Sequence, residues 1–308
     1  MIALRMRGVV SVGVGLTAFY TFLITCADAI TKMFAASYAA PQLFVLSGLI
    51  VAGLSLIANR SGSEPRTMHT KCPKAMAIRV MATIAGAVAF FYAFRLLPFA
   101  EVFIFIALIP LFTGLLSGPV LGEEVRPQAW GALILGAVGV LSLFPGGLNS
   151  IGLGHLVALA AVLLGTVSMM ASRYIGKRDD NLLTQVFYPN LGLALVMLVV
   201  LPFVYKPMGL ADLAWASVYA AILFFARWVL VAAFRMIPAY VVTPLMNLQF
   251  LWMVILGAVI FGEVPALTVF VGAFIIIFAG GWLIYDQVQP RMAAPKSPLR
   301  KPRIFPAE

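Results

Sequence analysis

Two stretches decide the fold: Ala93-Phe94-Arg95-Leu96-Leu97-Pro98 and Ala233-Phe234-Arg235-Met236-Ile237-Pro238. They share the pattern A-F-R-x-x-P at an offset of 140 residues, position 93 against 233. The same offset sets Leu121-Gly122-Glu123 against Phe261-Gly262-Glu263. After one extra residue in the second copy, Gly131-Ala132 meets Gly272-Ala273, and Gly139 meets Gly280. One shared motif is weak evidence. Several in a single register mark a duplication.

The sequence around these stretches is too apolar for water. Of 308 residues, 63% are hydrophobic and only 10% are charged, with a mean hydropathy of +1.04. A soluble domain is about 45–50% apolar and about 25% charged. About 20 apolar residues cross about 30 Å of hydrocarbon. Ten such runs can be read, at 9–30, 42–58, 75–94, 99–121, 128–145, 152–172, 183–204, 213–234, 239–261 and 266–285. Pro41, Pro98, Pro127, Pro145, Pro207 and Pro238 stand near the breaks, where a helix stops at least cost. The expected fold is therefore all-α, an integral membrane protein of ten transmembrane helices. The first five-helix repeat is read over 1–145 and the second over 146–286. A basic, Pro-rich tail follows at 287–308. Five is an odd number, so the second repeat enters from the opposite side and the halves are inverted.

The net charge of +10 invites a nucleic-acid reading, but the distribution opposes it. Lys and Arg cluster in short segments between apolar runs, as the positive-inside rule produces. With a cytoplasmic N-terminus, all of the 21 basic residues except Lys32, Arg95, Lys206 and Arg227 fall on the inner side. The expectation is a multi-pass protein of a bacterial inner membrane with both termini cytoplasmic. Arg5 and Arg7, with Ala27-Asp28-Ala29 downstream, weakly resemble a signal peptide. The run from Gly8 to Ile30 is too long for one, and the repeat needs it as a helix.

Cys26, Cys72, His69 and His155 show no metal-ligand spacing, and no cofactor is expected. No P-loop, HExxH or G-x-S-x-G motif occurs. Inverted repeats are characteristic of secondary transporters, whose two halves exchange conformations about a site at their interface.

The ten runs, the doubled A-F-R-x-x-P turn and the doubled Leu/Phe-Gly-Glu before a Gly-rich helix resemble the drug/metabolite transporter superfamily, EamA type. The resemblance covers about 9–285, and Asp28-Ala29-Ile30-Thr31-Lys32 also looks like members of that group. It implies a proton-coupled or facilitated carrier, more often an exporter. Ser47 stands where the family frequently has Arg, and Asn247 where it frequently has an aromatic after Pro244. The substrate is therefore not carried over. Amino acids, amines, vitamins such as riboflavin and related metabolites stay open as substrates.

Ionisable groups inside a membrane are costly and usually functional. Asp28 and Lys32 are i,i+4 on the first helix and can pair, as a self-neutralised pair or as a gate or headgroup clamp. Asp28 could alternatively carry a coupling proton. Arg227, beside Trp228, lies in the middle third of the eighth run and needs an anionic partner, a water-filled cavity or a snorkelling path. A guanidinium there suits a carboxylate or phosphate. Glu101 is expected to pair with Arg95 or Lys32. Glu123 and Glu263 read as turn or cap elements. Tyr92, Tyr188, Asn247, Gln249 and Trp252, with Tyr20 and Asn190, could complete a pocket or serve as helix–helix contacts. Gly131, Gly136, Gly139, Gly272, Gly280 and Gly281 read as close packing. The expected partners are a small-molecule substrate, protons and the lipid bilayer, with homodimerisation left open. The competing reading is an intramembrane enzyme, or an uptake carrier, using the Asp28/Lys32/Glu101 cluster.

Overall fold

A computed structural model of the chain describes residues 2–60, 68–121, 127–142, 151–176, 178–179, 183–236 and 245–288. Among these, every regular element is a helix. They are α1 (Ile2–Ser37), α2 (Ala40–Arg60), α3 (Pro73–Leu96), α4 (Phe99–Ile106), α5 (Ile109–Leu121), α6 (Pro127–Leu141), α7 (Leu153–Gly176), α8 (Thr184–Val204), α9 (Leu210–Met236), α10 (Leu248–Phe261) and α11 (Leu267–Val288). Segments within α1, α2, α3, α7 and α8 are each long and apolar enough to cross a membrane. Further apolar helices, shorter where they are described, lie in α4–α5, α9, α10 and α11. The chain is an all-α multi-pass membrane protein.

The helices follow the expected runs, with two differences. The fourth run is not one helix. It turns at Ala107 and Leu108 and resumes as α5. Pro110 explains this, because it has no N–H to continue the ladder. In the ninth run a turn at Met246 and Asn247 separates the helical Leu245 from α10, which starts at Leu248. Residues 239–244, including Pro244, lie outside the described residues. The two turns differ by 139 residues, 107 against 246, close to the offset of the sequence repeat.

The packing carries the same symmetry. The most extensive contacts are α3 with α7, α2 with α8, α1 with α9, and α6 with α11. Next come α2 with α9 and α3 with α8, then α5 with α7 and α1 with α10. Exchanging each span for the one five further on maps α1 to α7, α2 to α8, α3 to α9, α4–α5 to α10 and α6 to α11. That exchange turns the α3–α7 contact into α9–α1, α2–α9 into α8–α3, and α5–α7 into α10–α1. The contacts α2–α8 and α6–α11 map onto themselves.

Glycines permit the tightest of these crossings. A Cβ on Gly272 would meet the Gly139 carbonyl at 2.7 Å, and one on Gly139 would meet the Gly272 carbonyl at 3.0 Å. At α2–α8, a Cβ on Gly48 would meet the Asn190 carbonyl at 2.7 Å. Gly136 is likewise closed in by Leu111. Gly281 differs from the expectation, since nothing lies within 4 Å of where its Cβ would be. Phe99, Phe103, Phe105, Leu111, Met253 and Ile276, all fully buried, centre the largest apolar cluster, where α4 and α5 meet α10 and α11.

Candidate functional site

The face of α1 decides where polar groups collect. Thr17, Thr21, Thr25 and Thr31 are buried on this otherwise apolar helix. Thr17, Thr25 and Thr31 each return a hydroxyl hydrogen to the carbonyl four residues back, at 2.8–3.0 Å. This is the usual way an isolated hydroxyl is satisfied in an apolar helix. Thr21, Thr25, Asp28 and Lys32 succeed one another at steps of three and four, so they form one stripe.

Opposite this stripe stands the start of α10. The Gln249 amide donates to Asp28 Oδ2 at 2.9 Å. Three residues on, Trp252 Nε1 donates to Thr21 Oγ1 at 3.2 Å. The indole also meets the Phe22 ring edge-on, with centroids 5.4 Å apart. The turn at Met246–Asn247 restarts the helix so that Gln249 and Trp252 share the face toward α1. From α9, the buried Tyr219 lies close to Thr31 and Asp28.

This corrects the expected pairing. Lys32 does not neutralise Asp28. Its ammonium bonds Glu263 Oε1 at 2.7 Å and the Leu97 carbonyl at 2.8 Å, and sits 5.3 Å from the centre of the Phe261 ring. The other oxygen of Glu263 accepts the Phe99 N–H at 2.6 Å, at the start of α4. Among the described residues, no cation lies within salt-bridge distance of Asp28. Its bonded partner is a neutral amide.

Glu101 is also corrected. Its partner is neither Arg95 nor Lys32 but His155 Nε2 at 3.7 Å, at the start of α7. His155 Nδ1 accepts the Gly152 N–H at 3.0 Å, which assigns the ring proton to Nε2, facing the carboxylate. Glu263 serves as the expected turn element and also as an ion-pair partner, while Glu123 lies outside the described residues. A cleft of about 250 Å³ beside this group is lined by Glu101, Glu263, Met253, Gly257 and Pro265, among others.

The remaining candidates divide. Tyr188 donates to the Met68 carbonyl at 2.6 Å, tying α8 to the segment before α3. Asn190 bonds back within its own helix to the Val186 carbonyl at 2.7 Å. Tyr92 is exposed and packs edge-on against Phe91. Asn247 lies in the turn before α10, where its carbonyl accepts the Phe250 N–H and its side chain makes no cap bond. Tyr20 is half-buried on α1. Arg227 and Trp228 lie in α9, which packs along α1, but their side chains are outside the described set. Thr21, Thr31, Tyr219 and His155 were not singled out from the sequence. The threonine spacing on α1 could have flagged the first two. Nothing local marks Tyr219 or His155.

Comparisons with known proteins agree with this architecture. The sequence model of the EamA-like transporter family matches residues 9–144. The chain is similar to an S-adenosylmethionine uptake transporter of Rickettsia bellii, 25% identical over 72% of this chain and 76% of that protein. It is also similar to one of Rickettsia prowazekii, 24% identical over 71% and 74%, and to one of Rickettsia felis, 27% identical over 72% and 75%. A protein of known crystal structure shares the fold with a TM-score of 0.60, at 17% identity over 90% of this chain and 99% of that one. These relatives point to transport of a small molecule rather than to an enzyme. Over its first half the chain resembles the EamA-like transporter family, and over about seven tenths of its length it resembles these uptake transporters.

Proposed function

We propose that this protein is a carrier that moves a small polar metabolite across a bacterial inner membrane by alternating access, and that Asp28 receives the substrate's positive group. One observation carries the reading. Among the described residues, the hydrogen-bond donor to the Asp28 carboxylate, inside a transmembrane helix, is a neutral amide, beside a helix break. A carboxylate left in that state is costly in an apolar bundle. A cationic group on the substrate offsets that cost during each cycle. The Trp252 ring nearby is a further surface suited to an onium group. Arg227, on the helix packed along α1, is the group assigned to a substrate carboxylate. The two charges together suit a metabolite that carries both signs.

The relatives make S-adenosylmethionine the first substrate to test, since it carries a sulfonium, an ammonium and a carboxylate. They also favour uptake over the export that the superfamily resemblance alone suggests. The test is counterflow of labelled S-adenosylmethionine in proteoliposomes loaded with the unlabelled compound. We expect accumulation, competed at least about tenfold more weakly by S-adenosylhomocysteine, whose sulfur is neutral. Equal competition by the two would exclude the sulfonium as the group at Asp28 and leave the ammonium, which both compounds carry. Absence of flux for every metabolite that raises the melting temperature of the purified protein would remove the carrier reading itself.

A further inference from the structure

We infer that the Lys32–Glu263 pair is the gate that closes the transport path at one end of the molecule. The inference rests on the carrier reading, because a gate presupposes alternating access. Three segments meet at this pair. Lys32 comes from α1, the Leu97 carbonyl and Phe99 N–H from the α3–α4 turn, and Glu263 from the linker between α10 and α11. The first two belong to the first repeat and the last to the second. The halves are therefore tied together here, one helical turn from Asp28, about 6 Å along the axis.

The construction suits a contact that opens. Glu263 is borne on a non-helical linker. It is aimed by Gly262, which takes the left-handed conformation at φ 66° and ends α10, with the Glu263 N–H returning to the Gly257 carbonyl at 3.0 Å. The two side chains are 12% and 27% exposed, so the pair is not sealed in the packed interior and its strength is modest. The adjoining cleft has Glu101 and Glu263 on its wall. Lys32 also has a second carboxylate within range, since Asp28 stands four residues away on the same face. A positive substrate group on Asp28 repels the ammonium toward Glu263 and holds the gate shut. An empty Asp28 attracts it and loosens the gate.

Two variants remove the charge while keeping the neutral bonds. Glu263→Gln retains an oxygen for the Phe99 N–H, and Lys32→Gln retains a donor for the Leu97 carbonyl. Spin labels at Leu96 and Val264, both exposed, report the separation of the two sides by pulsed electron resonance. The background is the full chain with Cys26 and Cys72 replaced. We expect a mainly short distance in the parent, and in each variant a long-distance population raised roughly fivefold, as loss of a partly exposed pair predicts. Lys32→Glu combined with Glu263→Lys should return part of the short distance. An unchanged distribution in both single variants would overturn the gate and leave the pair a fixed anchor. The distance measurement needs no substrate. Failure of flux with a distribution that responds would therefore sink the carrier reading and not the opening.

Discussion

Asp28 and Gln249 are 221 residues apart in the chain, and their hydrogen bond joins the first helix to the ninth span. From the sequence, Asp28 had an obvious partner four residues away in Lys32. The structure turns that lysine to Glu263, because the ammonium gains a carboxylate, a carbonyl and an aromatic face there. Local spacing shows which groups can meet. It does not show which of several partners gives the larger return. The distinction has consequences for mutation. A neutral Asn at position 28 keeps a hydrogen-bond partner for Gln249 and removes a charge that no described cation pairs. Asp28→Asn should leave the melting temperature unchanged or raised, while substrate affinity falls about 30-fold or more, the usual cost of losing one partner of a desolvated charge pair. Gln249→Leu should weaken binding by about tenfold, the scale of one hydrogen bond to a charged group. A large loss of stability in Asp28→Asn, measured by thermal unfolding in detergent, would make the carboxylate structural instead.

At the level of helices, the apolar runs located the elements and Pro marked most of their ends. Two features escaped. Pro110 reads as one more apolar position within a long run, and only its missing N–H divides α4 from α5. The glycines also read alike, although they differ in space. Gly139 and Gly272 face each other across α6 and α11 at backbone contact, whereas Gly281 faces open space. A side chain at Gly272 meets a carbonyl that cannot move aside, so the helices must separate. Gly272→Val should therefore lower stability by about 1–3 kcal/mol, seen as an earlier thermal transition. Gly281→Ala should be neutral, or stabilise by up to about 1 kcal/mol through helix propensity. Equal behaviour of the two variants would mean that the α6–α11 crossing is looser than its geometry.

At the scale of the molecule, the repeat was legible because a shared register survives in a few motifs, and the contact pattern repeats under the same exchange. The proposed place of a site between the halves follows from that symmetry. Its chemistry does not, because each half supplies different residues at matching places. Position 28 holds an acid, and its counterpart 168 holds a serine that bonds Thr83 at 2.7 Å. Arg79 on α3 donates to the Ser168 carbonyl at 3.3 Å, where the other half has Tyr219 near Asp28. The two ends of the path are thus alike in backbone and unlike in charge, as a carrier needs if one end is to hold a charged group more firmly than the other. Inversion also fixes which surfaces share a side. Leu96 ends the third span and Val264 follows the ninth, so both lie on one face of the membrane, with Arg60 on the other. From the charge pattern we expect Arg60 on the cytoplasmic side. In intact cells, an impermeant maleimide should label cysteines placed at Leu96 and Val264, and should reach one at Arg60 only after permeabilisation. Labelling of Leu96 and Val264 from opposite sides would refute five spans between the motif copies, and labelling of Arg60 alone in intact cells would reverse the orientation while leaving the inverted halves in place.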